Sequence, residues 1–220
     1  MSELPSELPR IGLDGITLKA GTHAERSYDA LCSMEAVAWL AGEPHSDHPQ
    51  CTCPIIGAFL RSWNDSIRYD DTRTRLLKPL LSVVIGTRST KAVELTRSYL
   101  ALDWLARECA PAFLSLRDDL KAHAVALRGL SPLIDSASYE AAQAILAAAR
   151  DAAGAAARDA AWGAAGDAAW DAAGDAARAA AGAAAWAAAG DAARAALAPT
   201  VQTLQLSASN LVRRMVAIHD

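Results

Sequence analysis

Within its alanine-rich part the chain has no uncharged stretch longer than Ala179 to Gly190. That is far short of the about 20 apolar residues needed to cross a bilayer, so no membrane partner is expected. Positive charge is also scarce. Lys and Arg number 21 against 25 Asp and Glu, the formal net charge is −4, and there is no basic tail. Such a balance gives no field that draws phosphate backbones, and nucleic acid is not expected as a partner. The opening MSELPSELPR is polar and lacks the apolar stretch of a secretory signal. This points to a cytoplasmic protein whose four cysteines stay reduced as thiols or ligands. Alternating apolar and polar runs are nearly missing, which predicts an all-α fold.

What the chain does have is a four-letter rhythm from Ala147 to Ala198. The middle two letters of each word are alanine from Asp151 to Arg194, the first letter is most often Asp, and the last is Arg, Gly or Trp. Alanine is the strongest helix former and offers the smallest apolar surface. A helix turns about 100° per residue, so successive words land roughly 40° apart and spiral round a straight rod. A four-residue period suits no coiled coil. With regular glycines, each about 1 kcal/mol worse than Ala in a helix, the pattern predicts several short helices or a bent one. Small residues four apart lie along packing ridges and let backbones approach. Large rings on an alanine rod require cover. Trp162, Gly166, Trp170, Gly174, Gly182, Trp186 and Gly190 are therefore the candidate self-association residues, and a homo-oligomer is expected. Other readings are a solvated helical linker, a stacking platform disfavoured by four arginines against six aspartates, and an ice-binding face disfavoured by scarce threonine.

Outside the repeat, Asp14-Gly15 between Ile11-Gly12-Leu13 and Ile16-Thr17-Leu18 suits a short N-terminal hairpin or an extended arm. Helices are predicted over residues 25–41, with Gly42 as a stop, then over 55–67, 73–85, 90–109 and from Pro111 to about Leu127. Helix 136–150 leads into the repeat, and Pro199 is expected to open a last amphipathic helix. Composition divides the chain into a helical module, 1–135, and a tetrad-repeat scaffold, 136–220.

Site chemistry is concentrated in 21–54, which holds three of the five histidines and three of the four cysteines. His45, His48, Cys51 and Cys53 are the residue types that bind tetrahedral zinc, although CxC and HxDH are not the paired CxxC of a zinc ribbon. A second reading is catalytic: Cys32 as nucleophile, Glu35 three residues on, and His23 as base, a set suited to a small hydrolase or transferase. A third is structural, with Cys32 a small buried hydrophobe and the loop histidines bonded to backbone. Asn64-Asp65 after Trp63 either joins a polar site or ends a helix.

The run GTH, CSMEAVAWLAGEPHSDHPQCTCP and FLRSWND, followed by RSYLALDWL and an Ala-rich tract closed by LAPTVQTLQ, resembles a group of uncharacterised proteins of actinomycete-type bacteria and their phages. The resemblance covers nearly the whole chain and supplies no activity, cofactor or catalytic residue. It implies that loop and repeat belong to one architecture, and a phage setting implies binding or sequestration of a host factor; a small molecule is the other candidate ligand. Taken together the sequence reads as a binding or scaffolding protein, with a zinc site as a candidate cofactor centre.

Overall fold

The computed structural model describes residues 15–219 except 26, 28 and 172–175, and gives the backbone alone for 157–194. Among the described residues the regular elements are helical, as expected. The one β contact is an isolated parallel bridge, Leu18 to Leu31. The first arm of the proposed hairpin, 11–14, lies outside the described residues.

Packing divides the chain into two compact units, Met1–Ala101 with Ser207–Asp220, and Leu102–Leu206. The compositional step at 135/136 does not coincide with these bounds, since residues 102–135 group with the second unit and the last turns of the final helix with the first. That unit contains α1 (Ser33–Leu40), α2 (Pro54–Ser66), α3 (Asp70–Leu81), the start of α4 (Lys91–Trp104) and the end of α8 (Ala176–Val216). Helix α1 is buried from Ser33 to Trp39 and packs on α2 and α3. Met34, Leu60, Leu77, Leu80, Leu211 and Met215 are all fully buried in this unit's core.

Helix α1 starts eight residues later than predicted. Leu31 is fully buried, and the Lys19 amide donates to its carbonyl at 2.9 Å, so the chain is held extended up to the cap residue Cys32. Gly42 does stop the helix. Its φ of 73° is the left-handed region, and the Gly42 and Glu43 amides return to the carbonyls of Trp39 and Ala38 at 3.0 and 2.8 Å. This crossed pair satisfies the last carbonyls of the helix.

Two buried arginines tie this unit together through carbonyls. Arg73 donates to Asn64 O at 2.8 Å and also to Ile67 O, Leu18 O and the Asp70 carboxylate. Arg97 donates to Thr87 O at 2.6 Å and to Met215 O and Ile218 O, both at 2.8 Å. The C-terminal segment is thereby hydrogen-bonded to α4.

In the second unit the predicted helix 90–109 is not α-helical throughout. After Trp104 it widens into a π-turn, Leu105–Cys109, with the Ala110 amide donating back to Leu105 O. Pro111 accounts for this: it has no N–H for the Arg107 carbonyl and its ring crowds that oxygen. The predicted helix from Pro111 to Leu127 is also broken, into α5 (Ala110–Leu114), a 3₁₀ turn (Asp118–Leu120) and α6 (Lys121–Arg128). Leu114, Leu120 and Leu127 belong to one buried cluster. At about 100° per residue a single straight helix would set Leu114 and Leu120 roughly 240° apart, so the extended Arg117 backbone is what lets all three meet.

The repeat forms long helices instead of short ones. Helix α7 runs unbroken for 36 residues, Ser136–Asp171, and α8 for 41. Glycine's helix penalty is local, and alanine on either side outweighs it. Pro199 does not open a helix but lies inside α8. The Ala195 carbonyl it leaves unpaired belongs to an exposed residue, where water serves as partner.

Candidate functional site

Glu35 is the centre of the His/Cys-rich segment. Its side chain is fully buried, and its carboxylate gathers three groups from two stretches of chain. Oε1 accepts the His23 amide at 2.7 Å, while Oε2 accepts the Cys32 amide at 2.7 Å and faces His23 Nδ1 at 2.8 Å. The Glu35 amide in turn reaches Cys32 Sγ at 3.4 Å. This is a reciprocal capping box in which cysteine stands where serine or threonine is usual. Because a carboxylate only accepts, His23 presents Nδ1–H inward and leaves Nε2 as its outward nitrogen.

The structure thus brings Cys32, Glu35 and His23 together, yet gives the thiol a different job. Cys32 is 2% exposed. Burial, with the nearby Glu35 carboxylate, pushes its pKa up to about 12. A reactive cysteine needs thiolate at neutral pH, and this environment keeps the proton on sulfur. Cys32 is a helix cap, and its burial disfavours the thiolate that the nucleophile reading requires.

The four candidate zinc ligands do not converge. His45 Nε2 donates to His23 O at 2.8 Å, and His48 Nδ1 pairs with Asp47 Oδ1 at 2.6 Å. Cys51 is half-buried with Sγ 3.7 Å from Thr52 Oγ1, whereas Cys53 is fully buried as the cap residue of α2. The turn at 51–53 leaves the two sulfurs of CxC in different surroundings. Among the described residues no three His, Cys, Asp or Glu side chains are placed to hold a metal ion. Burial raises the Cys51 thiol, and although burial also acts upward on Asp47, the His48 hydrogen bond and charge hold that carboxyl below its ordinary range.

Asn64 is a structural bridge. It accepts the Ser33 amide at 3.2 Å and donates to Lys19 O at 2.8 Å, fastening the start of α1 to the segment before it. Asp65 accepts the Gly21 amide at 2.8 Å. Trp162, Gly166, Trp170, Gly182, Trp186 and Gly190 fall where the backbone alone is described, and Gly174 lies outside the described residues. Their side-chain contacts are likewise outside the described residues.

Sequence reading missed a hollow in the second unit. Between the π-turn with α5 and the first half of α7 lies a cavity of about 300 Å³. Alanines make the room: Ala106 and Ala110 on one side oppose Ala149 and Ala153 on the other. At its mouth Leu105 and Phe113 stay 52% and 41% exposed, an arrangement that wets apolar surface. Arg150 is the one charged side chain in the lining. The available signal was faint, a proline seven residues after Trp104 and an Ala-rich face in α7.

Comparison with protein-family models, curated proteins and solved structures returned no match.

Proposed function

We propose that this is a binding protein and that a small apolar ligand occupies the hollow of the second unit. The observation that carries the reading is the pairing of an alanine-lined cavity with exposed Leu105 and Phe113 at its mouth. Its volume falls at the lower end of the about 300–1,000 Å³ found for small-molecule sites. A π-turn forms one wall, and such turns recur at functional sites because they re-aim side chains. The test is titration with a neutral naphthylamine dye whose emission rises in apolar surroundings. Saturable binding to the wild type, lost in Ala106→Phe with helicity retained, supports the proposal. Equal binding to both proteins rejects it.

The proposal also assigns the tetrad helices to self-association, supported by their small residues at four-residue spacing. Sedimentation is expected to show an oligomer that Gly182→Leu with Gly190→Leu disrupts. A monomer at all concentrations would remove this part.

A further inference from the structure

Resting on the groove reading above, we infer that the ligand is an amphiphile with an anionic head and that Arg150 is the residue that recognises it. The division of labour in the lining leads there. Leu146, Ala149 and Ala153 share one face of α7 and turn hydrocarbon toward the hollow. Arg150 lies on the edge of that face, four residues after Leu146 and three before Ala153. A long stem can line apolar surface there while its head stays in water. The Arg150 side chain is 78% exposed, so its charge stands at the mouth and not in the interior.

Among the described residues the guanidinium has one side-chain partner. Its Nε meets Asp151 Oδ1 at 3.2 Å, a contact between two side chains that are 78% and 72% exposed. Such exposed pairs are worth little and exchange readily with other partners. Among the described residues the two terminal nitrogens of Arg150 hydrogen-bond to nothing. They form the planar fork that fits a carboxylate through two parallel bonds. No acidic side chain lines the hollow to serve a cationic head. Size sets the body: a cavity of about 300 Å³, at the lower end of small-molecule sites, suits a chain of medium length. A medium-chain carboxylate, tail among the alanines and head at Arg150, satisfies both requirements.

The experiment uses the full chain and three ten-carbon probes below their micelle concentrations: decanoate, decanol and decyltrimethylammonium. Each displaces the neutral dye. The expected result is decanoate binding at least about tenfold more tightly than decanol, with the cation weakest, at low salt. Arg150→Gln, a surface change that leaves the fold intact, should bring the decanoate-to-decanol affinity ratio down from about tenfold to about one. Leu105→Asp, at the exposed rim, should weaken decanoate more than decanol. Equal affinity of decanoate and decanol for the wild type, or an unchanged ratio in Arg150→Gln, overturns the head-group assignment while the groove reading stands. If none of the three probes displaces dye, and Ala106→Phe binds dye as the wild type does, the groove reading itself falls.

Discussion

Replacing Glu35 by Gln tests whether the His/Cys-rich segment is organised by one buried acceptor. The variant keeps the size of the side chain and exchanges one oxygen for an NH₂. In its better orientation the remaining oxygen still serves the Cys32 amide and His23 Nδ1, and the NH₂ faces the His23 amide, which loses its acceptor. That partly buried N–H costs about 1 kcal/mol, the low end for an unsatisfied donor. The two surviving bonds lose charge assistance, about 1 kcal/mol each. A neutral amide is easier to bury, which offsets part of the sum. The expected destabilisation is therefore about 2–3 kcal/mol, and Glu35→Ala, which strands all three donors, should exceed it. Urea unfolding gives the total. Hydrogen exchange gives the location, since the His23 and Cys32 amides should lose protection ahead of those in α2 and α3. A Gln variant within about 0.5 kcal/mol of wild type, with both amides still protected, would refute the reasoning.

In alkali the native state holds the Cys32 proton to about pH 12 while the unfolded chain releases it near 9.0. Rising pH therefore favours unfolding, and about 2 kcal/mol should be lost by about pH 10.5, a slope that denaturant titrations should find absent in Cys32→Ser. Asp47 acts in the opposite range: with its folded pKa below 3.8, its contribution is present above about pH 4 and lost as acid protonates it. The stability gap between wild type and His48→Ala should close at low pH. Thiol reagents at neutral pH should label the half-buried Cys51 and Cys109 before the buried Cys32 and Cys53, as peptide mapping would show. Arg97→Met should cost at least about 3 kcal/mol by leaving three carbonyls without their donor, and exchange should quicken over residues 211–216.

Where structure follows from neighbours in sequence it was legible. Helix α2, predicted over 55–67, is found at Pro54–Ser66 because a proline at the start and one apolar face are local signals. Gly42 was read correctly for the same reason. The start of α1 was not, because Leu31 is held extended by Leu18, thirteen residues away. The π-turn arises from Pro111 acting on a carbonyl four residues back, and a pattern of apolar spacing does not register it. Cys32, Glu35 and His23 were found as a set, since spacing of three on a helix start brings side chain and cap together. Their arrangement was not legible: the same three residue types describe a nucleophile with its base or a capped helix, and the burial that separates the two does not show in spacing. The hollow was invisible in sequence because it consists of missing bulk, contributed by alanines about forty residues apart.

The attachment of residues 207–218 through Arg97 bears on the order in which this protein acquires structure. A ribosome delivers Met34, Leu60 and Leu80 long before Leu211, Val212 and Met215, yet all six are buried in one packed unit. Until residues 207–218 are made, that unit lacks these helical turns and exposes the apolar surface they will cover. Folding of the part before residue 102 must wait for residues 207–218, made more than a hundred residues later, so the nascent chain has reason to depend on a chaperone where a vectorially folding domain would not.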